Sequence, residues 1–224
     1  LSFVIAASIK KSRGFGGNNS MLIHIARFKN PATTLKPLVE QYLSDIYHQL
    51  KYNFNNFMPL LKNMWETKFE GVSKVRLAEK YSDSWDKIQA YLLPTAEAAL
   101  SNILVINGDS ADILDYSSTN SSDYIIIGGD KLSRGLTLEG LVVSYYYRHS
   151  KSYDSLLQMG RWFGYRKGWI DVCRVFSTVR FVNDFITVGK VLQKFKTDID
   201  DMYRQKLNPR EVGQRIMYSP NLIP

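Results

Sequence analysis

The sequence predicts an α/β fold: a parallel sheet with helices on both faces. Three observations carry this. Five short runs are apolar without alternation: SMLIHIARF (20–28), NILVIN (102–107), YIII (124–127), LVVSYYY (141–147) and DVCRVF (171–176). Strands buried on both faces read this way, whereas half-exposed antiparallel strands alternate. Segments of helical length or spacing separate most of these runs, as crossover connections between parallel strands require. Asn107-Gly108-Asp109, Gly128-Gly129-Asp130 and Arg148-His149 stand where three of the runs end. In such folds sites gather at the carboxyl ends of the strands.

Residues 1–13 read as a short helix closed by Lys10, Lys11 and Arg13, since cations favour a helix C-terminus. Gly14-Phe15-Gly16-Gly17-Asn18-Asn19 is a turn before the first strand. It is a poor dinucleotide fingerprint, because it precedes a strand instead of opening a helix. Leu38, Val39, Tyr42, Leu43, Ile46 and Leu50 follow helical spacing after Pro37. Residues 51–98 carry no strand signal and are rich in Asn and aromatics, including Tyr52, Phe54, Phe57, Trp65, Phe69, Tyr81, Trp85 and Tyr91. They read as a mainly helical insert. Tyr153 to Trp162 suits a helix, and Asp171 to Phe176 the fifth strand. Phe181, Phe185, Val188, Leu192, Phe195, Ile199 and Met202 step by four and three along the last helix, which Asn208-Pro209 ends.

Composition bounds the classes. The chain has 224 residues, 45% apolar and 22% charged, which are globular values and exclude overall disorder. The prior is one domain, at roughly 100–200 residues each. Lys+Arg 29 against Asp+Glu 21 leaves +8, a surplus that permits a polyanion partner. Cys173 is the only cysteine, so no disulfide framework or cysteine-based zinc site forms within the chain. His24, His48 and His149 are too scattered for a metal cluster. No uncharged apolar run approaches the ~18 residues of a membrane span. Leu1 to Lys10 lacks an initiating Met, a basic n-region and a cleavage site, so it reads as a helix inside a longer, cytoplasmic protein.

The chemistry-bearing stretch runs from Ile125 to Arg166: IIIGGDKLSRGLTLEGLVVSYYYRHSKSYDSLLQMGRWFGYR. Small residues at Ser133-Arg134-Gly135 let backbone approach a phosphate, and Arg134 supplies charge. Gln158, Arg161 and Arg166 lie within nine residues. Clustered arginines beside a glutamine suit a polyphosphate and the charge on a transferring phosphoryl group.

This pattern resembles the second RecA-like lobe (P-loop NTPase type) of superfamily 2 helicases. Ser133-Arg134-Gly135-Leu136 with Thr137-Leu138 resembles their motif V, and Gln158-Met159-Gly160-Arg161 through Arg166 their motif VI. Ser20 to Arg27 takes the place of the motif IV strand, and Ile106-Asn107-Gly108-Asp109 of the segment before motif V. The combination LSRGLTLEG and YDSLLQMGRWFGYR is also similar to the Z-one domain family, whose members carry an endonuclease label and resemble helicase ATPases in bacterial restriction or phage-defence settings.

The resemblance implies a single lobe over 1–224, with the helical insert at about 51–98 and a helical C-terminal extension at about 178–224. It implies ATP and Mg²⁺ held mainly by an N-terminal RecA-like lobe of the same protein, because no G-x-x-x-x-G-K-[ST] loop occurs here. The piece alone is then expected to lack ATPase activity. Gly129, Arg134, Gly135 and Thr137 would face the nucleotide. Arg161 and Arg166 are both finger candidates, with Arg166 preferred because it ends the motif, and Gln158 would couple hydrolysis to movement. Arg27, Asn107, Gly108 and Lys131 would meet nucleic acid, expected to be DNA. A nuclease or GHKL-type ATPase is a further implied partner. Two departures stand. DEAD-box members have Asp where this chain has Thr137, and Gly164 takes the place of the second motif VI arginine.

Other readings remain beside this one. The arginines could form a structural ion-pair network, leaving a scaffold lobe without enzymatic activity. A metal-dependent nuclease would need converging carboxylates, and Asp83-x-x-Asp86-Lys87 has no strand context for that role. Trp162, Phe163 and Tyr165 suggest base stacking, and packing of the motif helix on the sheet is the favoured reading. The aromatics at 52–91, interleaved with Lys51, Lys62, Lys68, Lys74 and Arg76, invite a nucleic-acid reading, and the core of a small helical subdomain is the favoured one. Lys10, Lys11 and Arg13 read as a solvated helix end, and Cys173 as strand packing.

Overall fold

A computed structural model describes residues 1–25, 29–106, 114, 116, 121–128, 137–147, 153–160 and 166–206. The first helix, α1 (Ser2–Ser12), is buried at every residue from Phe3 to Lys10. Between Phe3 and Ile9 it is apolar but for Ser8, as suits a helix enclosed by a core. β1 (Asn19–His24) follows. α2 (Lys29–Tyr52) begins nine residues before the expected Leu38. Pro31 lies in its first turn, where a missing N–H costs nothing, and Pro37 is accommodated inside it.

The expected helical stretch is α3 (Phe54–Trp65), a π-helical turn at Glu66–Glu70, α4 (Gly71–Leu77), a 3₁₀ turn at Ala78–Lys80 and α5 (Trp85–Ser101). Its Leu61, Trp65, Phe69, Ile88 and Leu92 belong to the same buried cluster as α1 and the sheet. β2 (Ile103–Ile106), β3 (Asp123–Gly128) and β4 (Leu141–Tyr146) occupy three predicted runs. α6 (Tyr153–Gly160), β5 (Arg174–Ser177) and α7 (Val179–Gln205) complete the described elements.

The fifth strand starts three residues later than expected. Residues 170–172 instead form a 3₁₀ turn, with Val172 N donating to Trp169 O at 3.2 Å and Cys173 N to Ile170 O at 3.2 Å. The turn delivers the Asp171 carboxylate to Arg13, whose side chain is 9% exposed, and that ion pair overrides the strand pattern. The first strand ends at His24 rather than Phe28; residues 26–28 lie outside the described residues.

The five strands run in the order β2-β3-β1-β4-β5. β1 is central and parallel to both β3 and β4, and β2 is parallel to β3. This is the expected α/β sheet, compatible with a RecA-like lobe. Ile23, Ile103, Val105, Ile125, Ile127 and Val143 face the core built with α1, α2 and α5. Their neighbours Leu22, Ile126 and Tyr146 are fully buried on the other face. Both faces are therefore covered, which explains the unbroken apolar runs. β4 enters through Gly140, whose φ is +59° and whose carbonyl accepts from Ser20 N at 2.9 Å. A Cβ there would stand 1.7 Å from the Asn18 carbonyl oxygen, so only glycine fits.

The chain forms two compact units. One comprises Leu1–Arg148 with Gly164–Phe176; the other comprises His149–Phe163 with Ser177–Pro224. In the second, α7 is capped by the Thr178 side chain, which accepts from Phe181 N at 3.2 Å. Phe181, Val188 and Met202 are buried on its apolar stripe, while Leu192, Phe195 and Ile199 are each 44% exposed. Among the described residues no helix is long and apolar enough to cross a membrane.

Candidate functional site

The carboxyl edge of the sheet is organised by the last residue of its central strand. His24 is fully buried. Its backbone carbonyl accepts from Tyr147 N at 2.9 Å, just past β4. Its Nδ1 lies 2.8 Å from the Gly128 carbonyl oxygen, at the end of β3. A carbonyl only accepts, so Nδ1 carries the proton and donates it. The imidazole also lies 5.0 Å, centroid to centroid, from the Tyr146 ring. One residue thus ties together the exits of three adjacent strands.

Most of the expected site residues follow these exits in the chain. Arg27 comes after β1, Asn107 and Gly108 after β2, and Gly129, Lys131, Arg134 and Gly135 after β3. These residues and Arg161 lie outside the described residues. β2, β3 and β1 are neighbours in the sheet, so their exits stand side by side. Thr137 is exposed, ahead of β4. Gln158 is exposed on α6, where its Nε2 donates to Asp154 Oδ2 at 2.8 Å.

Arg166 is half-buried, its guanidinium carbon 5.6 Å from the centre of the Trp169 ring. Lys10 Nζ lies 4.8 Å from the same centre and donates to Asn18 O at 2.9 Å, one residue before β1. Arg166 therefore belongs to the amino edge of the sheet. Cys173 is nearby, half-buried, and burial pushes its thiol up to about 11. It stays a neutral thiol at physiological pH.

The amino edge holds a charge network that joins residues distant in the sequence. Arg13 donates from Nε and Nη2 to Asp83 at 2.7 and 2.6 Å, and from Nη1 and Nη2 to Asp171 at 2.9 and 2.6 Å. Ser73 Oγ donates to Asp171 Oδ2 at 2.6 Å. Burial opposes the charge on Arg13, but the two carboxylates outweigh it and raise its pKa. Burial likewise opposes charge on Asp171, but hydrogen bonds from Arg13 and Ser73 prevail and hold its carboxyl below the usual range. Lys11 pairs with buried Asp123, which also accepts from Asn19 Nδ2 at 2.8 Å. Lys10 is 3% exposed, and burial lowers its pKa.

The helix end read as solvated is thus an anchoring point. A sequence signal was available: three cations, Lys10, Lys11 and Arg13, close a helix whose preceding residues are almost all apolar. The Asp83 side chain is 1% exposed and taken up by Arg13. With Lys80 and Lys87 it lines a cleft of about 450 Å³ beside Gly168, on the α1 side of the fold. Among the described residues, no three His, Cys, Asp or Glu side chains converge as a metal site.

Residues 1–223 match the family model of the Z1 domain. No curated protein and no solved structure matches the chain. With the match running over nearly its whole length, the chain belongs to the Z1 domain family.

Proposed function

We propose that this chain is the second RecA-like lobe of an ATP-dependent superfamily 2 translocase acting on DNA, in a restriction or phage-defence type of system. The observation that supports it best is the side-by-side exit of β2, β3 and β1, each leading directly into residues of the motif pattern. Ligands of open α/β sheets bind outside such carboxyl ends. On this reading an N-terminal lobe holds ATP and Mg²⁺, and Gly129, Arg134, Gly135 and Thr137 approach the nucleotide from this side. Arg27, Asn107, Gly108 and Lys131 take the DNA backbone, where basic groups and backbone N–H donors suit phosphates.

Of the two arginines, Arg161 is the finger. Arg166 stands over Trp169 at the amino edge, away from the exits. Gln158, whose amide Asp154 orients, couples hydrolysis to lobe movement. Any DNA cleavage belongs to another domain or partner.

The test is DNA-stimulated ATPase activity of the full-length protein. Arg161→Ala should lower kcat by about 10³, the scale of an arginine finger, without loss of folding. A full-length protein that hydrolyses no ATP with or without DNA overturns the reading. Mg²⁺-dependent cleavage by the same sample would then point to the nuclease alternative.

A further inference from the structure

We propose that the cleft where the end of α1 meets the start of α5 binds a phosphate monoester of nucleoside monophosphate size. The site is separate from the strand exits and does not depend on the translocase reading. The cleft measures about 450 Å³, within the range of small-molecule sites and more than inorganic phosphate alone would fill. Its cations are uncommitted. Lys80, at the end of the 3₁₀ turn, and Lys87, in the first turn of α5, both line it and are exposed. Among the described residues neither has an ion pair or a hydrogen bond. Lys36, Lys62 and Lys74, by contrast, each pair with a glutamate one helical turn away. Lys87 has Asp83 at that spacing, but both Asp83 oxygens accept from Arg13, at 2.7 and 2.6 Å. The acidic residue of the lining is thus held by an arginine, and the lysine beside it is left for a ligand.

Hydroxyl donors stand with the two lysines. Ser84 is the N-cap of α5, yet its side chain makes no cap bond, the contact on which an N-cap serine ordinarily spends its oxygen. Ser82 also lines the cleft, and its side chain has no hydrogen bond among the described residues. The oxygens of a phosphate monoester only accept and carry charge, so two ammonium groups and two hydroxyls match them. Phe15 and Leu77 supply an apolar wall, which suits a flat body such as a base. The Phe15 ring is seated on Gly168, where an added Cβ would stand 2.3 Å from it. The approach to Lys80 is built as well. Ala78 holds φ at +48°, a costly conformation for a residue with a Cβ, and such outliers cluster at ligand clamps.

The experiment titrates the full-length protein with AMP, adenosine and inorganic phosphate by calorimetry. Amide hydrogen exchange in the peptide spanning 78–88 locates the binding. Wild type should take AMP about tenfold more tightly than adenosine or inorganic phosphate, and AMP should protect that peptide. Lys80→Ala with Lys87→Ala should weaken AMP about tenfold, the scale of lost charge-assisted hydrogen bonds, and remove the protection. Lys62→Ala with Lys190→Ala takes away the same charge elsewhere and should leave the affinity within about twofold, since distant exposed charges are screened. All four lysines are exposed, so both double variants keep the fold. Four results would each overturn the proposal: no AMP uptake by wild type, adenosine bound as tightly as AMP, AMP affinity unchanged without Lys80 and Lys87, or an equal loss in the two double variants. The readout is binding, so a protein without ATPase activity overturns the translocase reading and leaves this test intact.

Discussion

Arg13 and Asp171 are joined by two parallel hydrogen bonds, Nη1 to Oδ1 at 2.9 Å and Nη2 to Oδ2 at 2.6 Å. The side chains are 9% and 1% exposed. The pair bridges 158 positions of chain and ties the end of α1 to the turn before β5. Asp83 takes the remaining side of the guanidinium, so the loop before α5 is anchored at the same point. Fork-to-fork geometry of this kind suits arginine and not lysine.

Removing the arginine should therefore be severe. Arg13→Met keeps the bulk of the stem and leaves two buried carboxylates without their cation. Breaking a buried pair from one side costs about 3–5 kcal/mol. Thermal or denaturant unfolding should show a loss of that size, and Arg13→Lys should recover only part of it. A melting temperature within a degree or two of wild type in Arg13→Met would contradict the burial of this network.

Acid should act through the same carboxylate. The folded-state pKa of Asp171 lies below its ordinary value of 3.8. The unfolded chain then binds protons more readily than the folded one in that range, so stability rises with pH there. The contribution is fully present above the ordinary carboxylate range and is lost as pH falls through the folded value. Unfolding followed from about pH 6 to about pH 3 should show a steep acid limb in wild type. Asp171→Asn should be less stable at neutral pH and should flatten that limb. An unchanged acid limb would show that Asp171 is not held ionised by folding.

Gly140 offers a test of backbone packing. Gly140→Ala meets two penalties, a positive φ of +59° and a Cβ 1.7 Å from the Asn18 carbonyl. The conformational term alone is about 1–3 kcal/mol, and the clash must add to it by shifting the entry to β4. Gly14 is the control: its φ is +79°, but nothing lies within 4 Å of an added Cβ. Gly14→Ala should cost only the conformational term. The difference between the two denaturation midpoints measures the clash, and equal midpoints would deny it.

The α/β architecture was legible because burial on both faces leaves a local trace, the unbroken apolar run. β2, β3 and β4 each fall within one residue of their predicted bounds. The amino-edge network left no such trace. Arg13 meets Asp83 across 70 positions and Asp171 across 158, and no periodicity reports a contact between distant single residues. The same contact explains the misplaced start of β5, since Asp171-Val172-Cys173 continues the apolar run but Asp171 and Val172 are bent into a turn that delivers one carboxylate. Pro37 misled the start of α2 in the opposite way. It looked like a boundary, and the helix runs through it. At the site, the motif stretch pointed to the strand exits. His24 was missed as the residue joining them, because a histidine in an apolar run reads as part of the strand.

The two motif arginines can now be separated by stability as well as by rate. Arg166 lies over Trp169, an arrangement worth about 0.5–2 kcal/mol for a partly desolvated guanidinium. Arg166→Ala should lower the melting temperature accordingly, and Arg166→Lys, which loses the planar stack, should recover only part of it. A finger arginine behaves the other way: it stabilises charge that exists only in the transition state, so its loss lowers kcat and leaves the resting fold alone. Arg161→Ala should follow that second pattern in the full-length protein. If instead Arg166→Ala melts like wild type and abolishes DNA-stimulated hydrolysis, the stacking over Trp169 is incidental and the finger assignment reverses.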